Sequence, residues 1–126
     1  MNAFLYVALG GALGASGRYG LGLWVDRAVA SSFPYGTLSA NILGSFLMGL
    51  LVAWLAVKSG GTETARLFLG VGLLGGFTTF SSFSLDAITL LRDKGFGPFF
   101  IYVIASFAMS LLAIAAGLWL ARKVIS

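Results

Sequence analysis

Near the middle of a long apolar segment, the chain reads Gly75-Gly76-Phe77-Thr78-Thr79-Phe80-Ser81-Ser82-Phe83-Ser84. Glycines, threonines and serines interrupt the apolar pattern that a membrane-spanning helix requires. In lipid, every unpaired backbone N–H or C=O group is costly, so a chain that leaves helical geometry at bilayer depth needs a use for the freed groups. The usual uses are to line a cavity or to coordinate an ion. This stretch therefore predicts a broken helix in a protein that conducts an ion or a small solute.

The composition indicates an integral membrane protein made only of helices. Hydrophobic residues make up 59% of the 126 residues and charged residues only 10%, whereas a soluble domain has about 25% charged residues. At about 20 residues per crossing, the length allows four spans and almost no soluble domain. The predicted spans are residues 3–24, 35–57, 64–91 and 96–120. We treat residues 1–126 as one domain in a cell membrane.

The residue inventory argues against an enzyme. The chain has no cysteine and no histidine, and its only carboxylates are Asp26, Glu63, Asp86 and Asp93. Metal sites built from thiolate or imidazole groups therefore lack their ligands. Hydrolysis by a pair of carboxylates lacks its acids. The net charge of +4 comes from basic residues that flank apolar segments. It indicates anchoring at the lipid interface rather than binding of nucleic acid.

Two predicted spans have polar residues at every fourth position, which places them in one stripe along a helix. The stripes consist of Thr37, Asn41 and Ser45 in the second span, and of Tyr102, Ser106 and Ser110 in the fourth. Polar stripes on otherwise apolar membrane helices face protein or water rather than lipid. We therefore expect both stripes to face an internal polar path.

The chemistry of these groups leaves two kinds of ion open. The hydroxyl and amide groups all donate hydrogen bonds, which suits a small anion. Phe80 and Phe83 share a helix face, and the positive edge of an aromatic ring can also contact an anion. Carbonyl groups freed by the break would instead favour a cation such as Na⁺.

The basic residues are balanced across the four predicted spans, with four on each side of the membrane. One side has Lys58, Arg66, Arg122 and Lys123, and the other has Arg18, Arg27, Arg92 and Lys94. Because an excess of Lys and Arg orients a membrane protein, a balanced chain is expected to insert both ways. A weak bias hidden in Arg18 is the alternative. Two oppositely oriented copies could then form an antiparallel dimer whose eight helices enclose a path.

Three motifs in order resemble the CrcB/Fluc family of fluoride channels over the whole chain. Residues 75–84 resemble the family pattern G-G-x-[ST]-T-F-S-[ST]-F-S. Gly36-Thr37-Leu38, three residues before Asn41, resembles G-T-L-x-x-N, and residues 14–18, which end in Arg18, resemble the first-span pattern. Some members have a further hydroxyl residue one turn beyond Ser110, where this chain has Ile114.

The resemblance implies an antiparallel, dual-topology homodimer with two pathways for passive, selective export of F⁻ from the cytoplasm. It implies that ring edges of Phe80 and Phe83 contact the ion and that Asn41 is a donor essential to conduction. It implies further pathway roles for Ser82, Ser110, Thr37, Ser81, Tyr102, Ser106 and Arg18. It also implies a structural Na⁺ at the dimer interface, held by the backbone carbonyls of Gly75 and Thr78.

A small four-span, proton-coupled exporter of cationic compounds is the alternative function. Such an exporter needs an acidic residue deep in its first span to exchange protons for substrate. The first span of this chain has no Asp or Glu before Asp26, which weighs against this alternative.

Overall fold

In a computed structural model, which describes residues 2–57 and 62–125, every regular element is a helix. Helix α1 covers Ala3–Ala28 and α2 covers Tyr35–Val57. Helix α3 covers residues 62–77, α4 covers Phe80–Lys94 and α5 covers Phe96–Ile125. The predicted second span has the observed bounds, whereas the first helix continues to Ala28 and the last to Ile125. Lys58, which enters the charge balance, lies outside the described residues.

Three helical segments are long and apolar enough to cross a membrane: Tyr35–Val57, Glu63–Lys94 and Phe96–Val124. The 26 residues of α1 are long enough as well, but its glycines and Arg18 lower its hydropathy. The chain is therefore an all-helical, multi-pass membrane protein, and its helices fit the four predicted spans.

Helix α3 contains an unusual π-helical stretch. An α-helical turn, Thr62–Ala65, leads into nine π-helical residues, Arg66–Leu74, and a final α-helical turn, Gly75–Phe77. The Gly75 N–H bonds to the Gly70 carbonyl, five residues back, which is the π-helical spacing.

Two residues with extended backbone angles separate α3 from α4. Thr78 has φ −85° and ψ 157°, and Thr79 has φ −151° and ψ 126°. Thr79 caps the new helix, since its hydroxyl oxygen accepts a hydrogen bond from the Ser82 N–H at 3.1 Å. This is the usual geometry of a threonine N-cap. Helix α4 ends at Gly95, whose φ of 95° favours glycine.

Close helix packing depends on glycines that face a neighbouring backbone. Helices α2 and α5 form the most extensive helix pair, and they meet at Gly49 and Gly117. A Cβ atom on Gly117 would overlap the Phe46 carbonyl oxygen, and one on Gly49 would overlap that of Ile114. Gly10 and Gly14, the predicted G-x-x-x-G pair, face the α3 backbone in the same way. In lipid, such close approach replaces the hydrophobic effect as the source of helix association.

The buried core of the described residues lies between α2, α4 and α5. It consists of Leu38, Phe83, Ala87, Leu90 and Tyr102. Large apolar side chains on the outer faces stay exposed, among them Leu85 at 68% and Leu112 at 69%. An exposed apolar surface of this kind is expected to face lipid or another protein. The polar groups that remain inside the helix assembly are therefore the candidates for function.

We predict that Gly117→Ala lowers the thermal stability of the detergent-solubilised protein. The added methyl group must push α5 away from α2, and overpacking of this kind typically costs about 1–3 kcal/mol. Gly20→Ala is the matched control, because no atom lies within 4 Å of a Cβ at that position. Equal melting temperatures for the two variants would contradict the packing described here.

Candidate functional site

The largest described cavity lies where the two extended residues meet α2 and α5. It has a volume of about 300 Å³ and opens on the side of Phe80, which is 70% exposed. Its walls come from both polar stripes and from the break between α3 and α4. The lining residues are Asn41, Gly44, Ser45, Met48, Thr78, Thr79, Phe80, Phe83, Ser106, Phe107, Ser110 and Ile114. Its polar groups are thus hydroxyls, a carboxamide and backbone, without a charged side chain.

Asn41 binds both backbone groups of Thr79. Its Nδ2 donates to the Thr79 carbonyl oxygen at 3.0 Å, and its Oδ1 accepts from the Thr79 N–H at 2.7 Å. The neighbouring Gly44 allows this approach, since a Cβ there would overlap the Thr78 methyl group. One side-chain amide of α2 therefore satisfies the donor and the acceptor that the chain exposes where it leaves helical geometry.

The break also leaves carbonyl oxygens without helical partners. In a continuous α-helix, Thr79 would donate to Gly75 and Ser82 to Thr78. Here the Thr79 N–H goes to Asn41 and the Ser82 N–H goes to the Thr79 hydroxyl. No hydrogen bond among the described residues reaches the carbonyl oxygen of Gly75 or Thr78. Oxygens of this kind can bind a cation, and the described residues hold no cluster of acidic side chains that could do so instead.

The aromatic residues of the cavity differ in burial. Phe83 is only 7% exposed, and its ring packs on Tyr102 at 5.2 Å and on Phe107 at 5.6 Å between centroids. Phe80 contacts Phe83 at 5.6 Å and otherwise forms the open rim. The Phe83 ring is thus fixed by its neighbours, whereas Phe80 still has space for an ion or for another protein surface.

Two buried hydroxyls of α5 have no hydrogen-bond partner among the described residues. They belong to Tyr102, which is fully buried, and to Ser106, which is 7% exposed and lines the cavity. The Tyr102 hydroxyl lies close to Thr37, Asp86 and Ser106. Buried polar groups are normally paired, so the Ser106 hydroxyl, which lines the cavity, is available to a ligand there. The fully buried Tyr102 hydroxyl lines none of the described cavities and has polar neighbours instead.

A second cavity of about 210 Å³ has charged walls. Arg18 and Asp26 of α1, Thr37 of α2 and Asp86 of α4 line it. The Thr37 hydroxyl donates to a carboxylate oxygen of Asp86 at 2.7 Å, and the Arg18 Nε is buried without a partner among the described residues. Charged groups are thus concentrated in this cavity and neutral donors in the larger one.

The structure brings together only part of the predicted site. Asn41, Phe80, Phe83, Ser106, Ser110 and the predicted cation ligand Thr78 line the larger cavity. Arg18 and Thr37 line the second cavity, and Tyr102 lies buried in the core, close to Thr37 of the other stripe. Ser81, Ser82 and Gly75 line none of the described cavities. The Ser81 hydroxyl lies 3.4 Å from that of Thr79, and the Ser82 N–H donates a hydrogen bond to the Thr79 hydroxyl oxygen.

Three features of the site did not come from sequence reasoning. Thr79 stands in the motif but had no assigned role, although its backbone and its side chain organise the break. Asp86 had no assigned role either, although its bond to Thr37 joins positions 49 residues apart. Gly44 lies one turn after Asn41. A glycine at that position was the available signal that another part of the chain approaches α2 closely there.

The fold and the two cavities define a small multi-pass helical membrane protein with a donor-lined cavity at an interrupted helix. Residues 5–118 match the family model described as CrcB-like protein, Camphor Resistance (CrcB). The match covers most of the chain, and the protein belongs to the CrcB family.

Curated relatives match the chain from end to end. A protein of Phenylobacterium zucineum is 51% identical over 125 residues, with 98% of each chain covered. Proteins of Caulobacter vibrioides and Hyphomonas neptunium are 47% and 50% identical with the same coverage. All three relatives have the name Fluoride-specific ion channel FluC.

We predict that Thr37→Val destabilises the protein by about 1–3 kcal/mol, because it leaves the part-buried Asp86 carboxylate without its donor. Thr37→Ser should keep the bond and most of the stability. Thr89→Val is a matched control, since the Thr89 hydroxyl bonds only the Leu85 carbonyl of its own helix. Thermal unfolding at neutral pH measures all three, and an equal loss for Thr37→Val and Thr89→Val would contradict the prediction.

Proposed function

We propose that this protein is a fluoride-selective channel that lets F⁻ leave the cytoplasm passively and so gives resistance to fluoride. Membership of the CrcB family and relatives of about half identity named as fluoride-specific channels support it. The single structural observation that carries the proposal is the cavity of neutral donors at the break between α3 and α4. Passive flow suffices, because HF crosses lipid as a neutral molecule and dissociates inside the cell.

The proposed pathway follows the two polar stripes. Arg18 and Thr37 stand at the charged cavity, and Asn41, Phe80, Phe83, Ser106 and Ser110 stand at the neutral one. The Ser106 hydroxyl has no partner among the described residues and offers a donor to a dehydrated anion, which must recover the hydrogen bonds it made to water. The buried Tyr102 hydroxyl lies close to Ser106 in the same stripe. Ser81 and Ser82 lie beside Thr79 at the edge of the break.

We further propose that two copies form the conducting unit. Phe80 and Gly75 are exposed in a single chain, and the Gly75 carbonyl has no donor among the described residues. Lipid cannot supply hydrogen bonds, so an interrupted helix at bilayer depth needs protein or an ion over it. A second copy against the open side of the cavity would cover these groups and complete its wall.

Balanced charge supports an antiparallel arrangement of the two copies. With four basic residues on each side of four spans, neither orientation is favoured. An in-plane two-fold axis would bring each interrupted helix against its inverted counterpart at the same depth near the midplane. Such a dimer has two equivalent cavities and hence two pathways.

The same axis offers a place for a structural Na⁺. The carbonyl oxygens of Gly75 and Thr78 have lost their helical donors, so they fit a hard cation that prefers oxygen ligands. Bound there, Na⁺ would supply positive charge to compensate carbonyl dipoles from both copies. The chain would provide these ligands from its backbone alone, without an acidic side chain.

We predict that proteoliposomes containing the purified protein release F⁻ rapidly once a K⁺ ionophore removes the opposing voltage, and that they retain Cl⁻. The neutral donors and the aromatic ring edges suit the smaller anion. An F⁻ electrode and a Cl⁻ electrode measure the two effluxes. Equal release of both ions would defeat the selectivity, and no release of F⁻ would defeat the function.

Phe80→Ile tests the pathway within the same assay. The change removes the aromatic edge at the open rim and keeps an apolar side chain, so F⁻ efflux should fall at least about tenfold, the effect of a 1.4 kcal/mol barrier increase. Phe100→Ile is the matched control on the exposed face of α5, and its efflux should stay unchanged. Gel filtration verifies that both variants assemble as the natural protein does.

We predict that a single cysteine added after Ser126 reacts with a membrane-impermeant maleimide from both sides of the membrane. The natural chain has no cysteine, so all labelling reports the added residue. Half of the protein should react in intact cells and the remainder only after permeabilisation. Labelling from one side alone would refute insertion in both orientations.

A further inference from the structure

The two hydrogen bonds that redirect backbone N–H groups at the break differ in origin. The Ser82 N–H is diverted by the hydroxyl of Thr79, which is the ordinary cap of a new helix. The Thr79 N–H is diverted by Asn41, a side chain that belongs to another helix and lies 38 residues away. The first diversion is local, whereas the second requires α2 to be in place.

The Asn41 bond decides whether Gly75 has a free carbonyl. Thr79 is the residue whose N–H would close the next helical bond onto the Gly75 carbonyl oxygen. Because Oδ1 of Asn41 accepts that N–H at 2.7 Å, Gly75 is left without its donor. The second bond, from Nδ2 to the Thr79 carbonyl at 3.0 Å, holds the peptide in this orientation.

We infer that Asn41 is a positioning residue for the proposed cation site, because it withholds the Thr79 N–H from Gly75 and keeps that carbonyl oxygen available as a ligand. The inference rests on the proposed function and extends it, since it gives Asn41 a task besides contact with the anion. Its bonded oxygen and one of its amide hydrogens are committed to Thr79, which leaves the other amide hydrogen for a ligand.

Removal of the carboxamide should therefore let α3 continue. In Asn41→Ala the Thr79 N–H loses its acceptor, and the nearest unpaired backbone acceptor in sequence register is the Gly75 carbonyl. A buried, unpaired N–H is costly, so we expect Thr79 to rotate towards helical geometry and to bond Gly75. If Asn41 only donated a hydrogen bond to the anion, its removal would not change the hydrogen bonding of the Gly75 carbonyl.

Selective glycine labelling can observe the Gly75 carbonyl directly. The chain has three Gly-Gly pairs, Gly10-Gly11, Gly60-Gly61 and Gly75-Gly76. With ¹³C-carbonyl and ¹⁵N labels on glycine alone, a carbonyl–nitrogen correlation spectrum contains one signal per pair. Gly11→Ala assigns its pair with little disturbance, since only one atom lies as near as 4.0 Å to a Cβ there. Gly61→Ala assigns the second pair, and the remaining signal reports Gly75.

The Gly75 carbonyl resonance is expected to move downfield in Asn41→Ala, as carbonyl carbons do when they accept a hydrogen bond. Ser45→Ala is the matched control, because Ser45 lines the same cavity one turn further along α2, and the resonance should not move. An unchanged Gly75 resonance in Asn41→Ala overturns the inference. If that variant does not fold, Asn41→Leu replaces it, because leucine keeps a similar volume and also lacks an acceptor for the Thr79 N–H: a downfield shift of the Gly75 resonance supports the inference, and an unchanged resonance overturns it.

A sodium titration measures the consequence for the cation. The melting temperature of the natural protein should rise as Na⁺ replaces N-methylglucamine, and Asn41→Ala should need at least about tenfold more Na⁺ for the same rise, the equivalent of 1.4 kcal/mol in binding. A midpoint within twofold of the natural one contradicts the inference. If the natural protein does not respond to Na⁺, the proposed sodium site fails, while the Gly75 resonance still decides the role of Asn41.

Discussion

The pairing of the Thr79 peptide group with the Asn41 carboxamide is the interaction on which the interrupted third span depends. Lipid offers no hydrogen bonds, so a chain can leave helical geometry in a membrane only where protein satisfies the exposed groups. Asn41 satisfies the N–H and the C=O of Thr79, and the Thr79 hydroxyl satisfies the Ser82 N–H. The carbonyl oxygens of Gly75 and Thr78 stay unpaired among the described residues, and a cation can compensate oxygens of this kind.

Glycine contacts bring the elements of the site within reach of this bond. Gly44 lets the Thr78 methyl group approach α2, and Gly10 and Gly14 let α1 approach the π-helical part of α3. Helix α4, in contrast, packs mainly against α5, so the space between it and α2 stays open and becomes the larger cavity. The larger cavity therefore lies beside the core that α4 shares with α2 and α5, on the side where α4 and α2 make little direct contact.

The sequence predicted the features that depend on local patterns. Apolar length and the spacing of polar residues at every fourth position were sufficient for the second span and for the two stripes. The glycines, threonines and serines of residues 75–84 predicted an interruption, but not that Thr78 and Thr79 are the residues with extended backbone. Hydropathy did not reveal the π-helical segment of Arg66–Leu74, because its side-chain pattern is that of any apolar helix. Nor could it pair Asn41 with Thr79 or Thr37 with Asp86, because both contacts join helices that are distant in sequence and meet only in the fold.

The separation of charge between the two cavities bears on how an anion could pass. The charged cavity contains Arg18 together with Asp26 and Asp86, whereas the larger cavity offers only neutral donors and ring edges. Conduction requires sites that bind an ion well enough to admit it and weakly enough to release it. A fixed positive charge in a dry cavity would hold F⁻ too strongly, since Coulomb attraction is least screened there. Neutral hydroxyl donors replace the hydration of the ion without that attraction, so the charged group is better placed in the second cavity than among the neutral donors of the larger one.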